Sequence, residues 1–216
     1  MDTNTIYCFW TGINHMHTNR IKCLEHSREM SKCNIVLVTI NDLDKYILKE
    51  EPLHPAYQYL SETHKSDYLR TYFAHFHGGG YMDVKQTLGP WTDCFEELRN
   101  SDKWMCGYRM HGPDIAYIPN RDNWRDLVGV NAFICKPQTP LTKEWYTDML
   151  KVLDARLEQL KLYPSKYTND STWSNTGYPL RWAELLGEVF HNVSYEHRDK
   201  MLYTLPDLNL DIHSYR

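Results

Sequence analysis

The stretch Asn34–Ile40 (NIVLVTI) constrains the fold most, because neither of its alternating faces is polar. A strand of that kind must be covered on both sides, as a central strand of a parallel sheet is when helices pack on both faces. Thr5–Thr11 (TIYCFWT), ending at Gly12, reads as a second strand. Residues 17–31 between them set Ile21, Leu24 and Met30 among charges, the pattern of a moderately amphipathic helix. Strand, helix, strand is the opening of an α/β nucleotide-binding fold. A chain of 216 residues suffices for one domain whose core needs no disulfide or structural metal.

The pattern continues in the same style. A helix is predicted from a cap at Ser66 or Asp67, with Tyr68, Leu69, Tyr72, Phe73 and Phe76 on its apolar face. Gly78-Gly79-Gly80 stops it, and Tyr81–Lys85 alternates as a short strand. Further helices are predicted over 91–100, 140–162 and 179–190, and strands over 103–110, 128–136, 194–197 and 201–205. Two long polar stretches, 111–127 and 163–178, read as loops, the second a candidate lid. With no repeat or linker, residues 1–216 are expected to form a single domain.

Several function classes drop out. A net charge of −4 offers no basic field for nucleic acid. The longest aliphatic run, Ile35–Val38, is far too short for membrane insertion. Met1–Thr5 has no basic and then apolar leader. Six cysteines (Cys8, Cys23, Cys33, Cys94, Cys106, Cys135) without a CxxC pair read as reduced thiols, so a cytoplasmic location is expected. Eleven histidines make no HExxH, which argues against a structural zinc site. The absence of GxSxG, P-loop and GxGxxG patterns argues against an unrelated Rossmann-like hydrolase.

The chemistry concentrates in residues 65–87, KSDYLRTYFAHFHGGGYMDVKQT. Asp67 and Arg70, three apart on a helix, share a face. Asp83 and Lys85 lie on one side of the predicted strand, since side chains alternate with period two. Such a cluster suits a polyol, a diphosphate or a divalent ion; a surface salt-bridge network beside a glycine turn is the plainer alternative.

This segment resembles the sugar-binding region of DXD-type glycosyltransferases of the GT-A fold: SD-x-x-R, an aromatic helix, then GG-x-Y-x-D. It is similar to family 32 and capsular-polysaccharide sugar transferases, to the glucosyltransferase domains of large clostridial toxins and, more loosely, to transferases encoded by large algal viruses. The resemblance implies one Rossmann-like α/β domain with a mixed central sheet, residues 1–110 binding the nucleotide sugar and 111–216 forming the acceptor side. It implies a UDP-sugar donor, a glycan acceptor, and, if the chain is viral, the host cytoplasm. Asp67 and Arg70 then contact the donor's ribose and sugar. Trp10, in Phe9-Trp10-Thr11-Gly12, is the candidate base platform, Thr11 and Gly12 lying beside it. Asn131 would face the sugar from a strand. Asp83 matches the first Asp of DXD, but Lys85 stands in place of the second. Asp83 then holds a divalent ion (Mn2+ or Mg2+), with His213 of the terminal DIHSY as a further ligand, or Lys85 offsets the phosphate charge itself.

The resemblance implies glycosyl transfer with Asp83, Lys85 and Arg70 as catalytic residues, mostly in families that retain configuration. An inverting enzyme would need a carboxylate base, Asp114 or Asp122. The loop carrying Asp114, Tyr117, Arg121, Asp122 and Trp124 is the acceptor-side candidate, and Trp173 and Tyr178 are sugar or base contacts of the lid, or hydrophobic anchors for it. A non-catalytic nucleotide-sugar or glycan-binding domain of the same fold is the alternative.

Overall fold

The structure, a computed structural model, describes residues 4–113 and 119–215. Six strands form one mixed sheet: β1 (Thr5–Trp10), β2 (Asn34–Thr39), β3 (Gly79–Met82), β4 (Met105–Arg109), β5 (Val128–Cys135) and β6 (Met201–Leu202). Their order is β2-β1-β3-β5-β4-β6. β1 is parallel to both β2 and β3, while β5 runs antiparallel to β3 and β4. β5 therefore inserts between two strands of the first half, so the residues before and after 110 share one sheet.

Side-chain alternation splits the core into two layers. On one face Phe9, Tyr81 and Phe133 pack with the helices α2 (Glu62–Phe76), α4 (Pro140–Leu162) and α5 (Gly187–Glu196). On the other, Ile6, Cys8, Met82 and Ile134 pack with α1 (Thr18–Met30) and α3 (Thr92–Asn100). A last short helix, α6 (Ile212–Tyr215), lies against α1, where Cys23 Sγ donates to the carbonyl of Ser214 at 3.4 Å. All six cysteines are free. Among the described residues no helix is long and apolar enough to cross a membrane.

Three predicted boundaries move. α2 begins at Glu62 because Ser61, not Ser66 or Asp67, is its cap, the Ser61 hydroxyl accepting from the backbone N–H of His64. Asp67 and Arg70 thereby sit inside the helix, where their positions are rigid. β3 starts at Gly79 and ends at Met82, earlier than the predicted 81–85. Gly78 and Gly79 hold positive φ (65° and 81°), and a Cβ on Gly80 would sit 3.0 Å from Ile6 and 3.2 Å from Trp91. These glycines thus belong to the strand and its entry rather than to a stop signal alone. The predicted helix over 179–190 is displaced to 187–196, covering all but the last residue of the predicted strand 194–197. Leu180, in irregular chain, and Leu185, in a turn, are buried, and the spacing of Val189, Phe190 and Val193 drives the helix that follows.

Candidate active site

The chain leaves β1 for β2 on one side and then crosses to β3 on the other, with α1 and α2 on opposite faces. A crevice must open where that direction reverses, outside the carboxyl ends of β1 and β3. A cavity of about 790 Å³ occupies this place. Trp10, Thr11 and Gly12 enter it from the end of β1, Asp67 and Arg70 from α2, Asp83 and Lys85 from beyond β3, and Asn131 from β5. The volume falls within the range that encloses a cofactor-sized ligand, roughly 300–1,000 Å³.

Just past β3 the backbone N–H of Lys85 donates to the carbonyl of Asp83 at 2.6 Å, a tight turn. The turn, and not strand alternation, brings the two side chains together: Lys85 Nζ lies 2.7 Å from Asp83 Oδ2. Asp83 Oδ1 accepts from the Tyr81 hydroxyl at 2.6 Å and lies 3.3 Å from Arg70 Nη2. The same guanidinium nitrogen is 3.2 Å from Asp67 Oδ1, and Nη1 donates to the carbonyl of Val130 at 2.9 Å. The guanidinium also stacks over the Tyr81 ring, 4.4 Å from its centroid. One buried arginine thus ties α2, β3 and β5 together at the cavity wall.

The two carboxylates, alike in sequence, differ in chemistry. Burial pushes Asp67 up to about 7, against the pull of Arg70 and with the help of the Asp83 charge. Burial works against ionisation of Asp83 as well, but Lys85 and Arg70, with hydrogen bonds from Lys85 and Tyr81, outweigh it and hold that carboxyl well below the usual range. The cavity therefore presents a permanent anion screened by two cations beside a carboxyl that titrates near neutrality. At the far wall, His191 is nearly buried, and burial lowers it to about 4.

A divalent ion does not suit this donor set. Both Asp83 oxygens are already held by Lys85, Tyr81 and Arg70, and the second DXD carboxylate is an ammonium group. Among the described residues no cluster of three or more His, Cys, Asp or Glu side chains could hold a metal. His213 is exposed on α6 and does not line the cavity; Tyr215, two residues on, does.

Other expected contacts lie elsewhere. Trp173 is 76% exposed and does not line the cavity. Tyr178 is a buried anchor rather than a ligand contact: its hydroxyl lies 3.0 Å from His64 Nδ1 and accepts from the N–H of Ser61 at 3.2 Å. The 163–178 segment reaches the cavity through Thr168 and Asn169 instead, pinned by the Thr63 N–H on the Thr168 carbonyl and by the buried carboxylate of Asp170. Asp122 and Arg121 are exposed outside the cavity, and Trp124 packs on Met110 and Leu127. Asp114 and Tyr117 lie outside the described residues. Sequence reasoning missed Arg20, Trp182, Leu186, His191 and Tyr215 as lining residues. Each sits on an element whose local pattern signals only a helix or a chain end.

The chain matches no protein-family model and no curated protein. Its fold does have a solved counterpart. A structure described as the PaToxG glycosyltransferase superposes with a TM-score of 0.51 at 13% identity, over 90% of this chain and 69% of that one. The architecture is that of a GT-A-like Rossmann domain.

Proposed function

We propose that this chain is a glycosyltransferase that moves a sugar from a nucleotide sugar, a UDP-sugar, to a hydroxyl of a glycan acceptor. The single observation that carries the reading is the convergence of Trp10, Asp67, Arg70, Asp83 and Asn131 on one cavity at the topological switch point. The likeness in fold to a glycosyltransferase supports it. In this reading the base stacks on Trp10, whose indole N–H is tied to the carbonyl of Asn14 at 2.9 Å. Asp67 and Arg70 grip ribose and sugar hydroxyls, and Asn131 adds a polar contact from the opposite strand.

The transfer proceeds with retention. The bond from the anomeric carbon to the diphosphate oxygen breaks, its electron pair leaves with UDP, and the acceptor oxygen bonds to the same face. The acceptor proton passes to the departing phosphate oxygen, so the products are the glycosylated acceptor and UDP. Retention requires no protein base on the far face; of the two candidate bases, Asp122 is exposed outside the cavity and Asp114 lies outside the described residues. The residues around Asp83 stabilise charge as it develops on the leaving group.

A thermal-shift screen of nucleotide sugars tests the donor site by linkage. A UDP-sugar is expected to raise the melting temperature of the native protein but much less that of Trp10→Ala, and release of UDP with an acceptor glycan is expected to show turnover. If no nucleotide sugar shifts the native protein, the assignment fails. Binding without turnover across an acceptor series would instead identify a non-catalytic sugar-nucleotide module.

A further inference from the structure

Resting on the donor-site reading above, we propose that Lys85 binds the donor diphosphate directly, in place of a carboxylate-held divalent ion, so that donor binding is independent of metal. The first ground is the occupied carboxylate. A hard cation needs carboxylate oxygens within about 2.0–2.6 Å, yet Asp83 Oδ2 lies 2.7 Å from the Lys85 ammonium and Oδ1 is held by Tyr81 and Arg70. A metal would have to displace an ammonium group and then sit beside it, which Coulomb repulsion opposes.

The second ground is what Lys85 has to spare. An ammonium carries three N–H donors. Asp83 accepts one at 2.7 Å, and Lys85 lines the cavity, so the others are available to an anion there. Its position is fixed from both ends. The Ser27 hydroxyl donates to the Lys85 carbonyl at 2.9 Å, and the ammonium sits 5.2 Å from the centroid of the Tyr215 ring. On the other side of the turn, Arg20 Nη1 donates to the Val84 carbonyl at 2.6 Å, and its guanidinium stacks on the same Tyr215 ring at 4.4 Å.

The third ground is charge. The cavity wall carries Arg20, Arg70 and Lys85 against Asp67, Asp83 and Glu62, and Glu62 is already paired with Lys65 at 2.9 Å. Three cationic side chains thus line the wall that a diphosphate would meet. In a two-carboxylate metal site the positive charge that meets a diphosphate is brought by the ion; here the chain itself supplies it. When the glycosidic C1–O bond breaks, the electron pair goes to the terminal phosphate oxygen of UDP, where the ammonium meets the new charge through a charge-assisted hydrogen bond.

Calorimetric titration of UDP into the protein, in EDTA and in manganese, tests this. The native protein is expected to bind UDP equally well in both buffers. Lys85→Ala is expected to weaken binding about 10- to 100-fold in both, the loss expected for one charge-assisted contact to an anion. Lys85→Gln, which removes the charge but keeps an N–H donor near Asp83, is expected to lose affinity similarly while it still melts in one cooperative transition. Lys85→Asp, which restores the second carboxylate, is expected to bind UDP in manganese and to lose it in EDTA. Native binding seen only with manganese would overturn the inference and leave the donor site standing, as would unchanged affinity in Lys85→Gln. No UDP binding in either buffer would remove the donor site and this inference together.

Discussion

Asp67→Asn separates two things that the active-site geometry puts in opposition, stability and donor binding. Asp67 is 3% exposed, and burial lifts its carboxyl from the ordinary 3.8 to about 7. Because the folded value lies above the unfolded one, the native state holds the proton more tightly. The penalty is therefore absent below 3.8, accumulates as pH rises, and is complete above about 7. Ionising that group at pH 8 costs the native state up to about 4 kcal/mol relative to an ordinary aspartate. Asparagine removes this cost, in which the pull of Arg70 is already contained. The expected gain at pH 8 is therefore up to about 4 kcal/mol, or a rise of up to about 8–16 °C in melting temperature for a chain of this length. At pH 4.5 the difference between variant and native is expected to shrink to about 1 kcal/mol or less. Scanning fluorimetry of both proteins from pH 4.5 to 8.5 reads this directly, the difference between them cancelling the histidines that titrate in the same window. The variant is also expected to lose its shift with a UDP-sugar. Parallel melting curves across the whole range would refute the reasoning, because they would mean that Arg70 keeps Asp67 ionised in the fold despite its burial.

Arg70→Met is expected to destabilise by about 3–5 kcal/mol, since it leaves the buried Asp67 carboxyl without its ion-pair partner and takes one of three groups from Asp83; urea unfolding checks it, and a loss under about 1 kcal/mol would deny the arginine its bridging role. Trp10→Ala is expected to weaken UDP binding about 5- to 100-fold, the worth of one stacked base, while chemical unfolding changes far less; calorimetry with unchanged affinity would move the base elsewhere. Gly80→Ala presses a methyl against Ile6 and Trp91 and is expected to cost about 1–3 kcal/mol, visible as a lowered denaturation midpoint without a change in its slope.

Much of the fold was legible because it depends on local periodicity. The doubly apolar strand at 34–39, the aromatic face of α2 and the long stripe of α4 are written in runs whose period names the element. Capping was less legible. Ser61, Ser66 and Asp67 are all good cap residues, and only the bond from His64 N–H to Ser61 selects among them. The region from 179 to 197 misled for a related reason: Leu180, Leu185, Val189, Phe190 and Val193 are all buried, and a one-dimensional pattern does not tell a buried turn from a buried helix.

The chain's own order of residues determined that Asp67, Arg70, Asp83 and Lys85 stand close together, since one helix, one glycine turn and one short strand carry them all. It did not determine what they do to one another. The bond of Lys85 to Asp83, the bridging by Arg70, and the opposite titration of two aspartates arise from burial and from the turn after Met82, which no spacing encodes. The far walls of the cavity, from Arg20 to His191 and Tyr215, come from segments distant in sequence. They meet only because the sheet reverses its winding between β1 and β3, and a crevice forms where no helix can cover both strand ends.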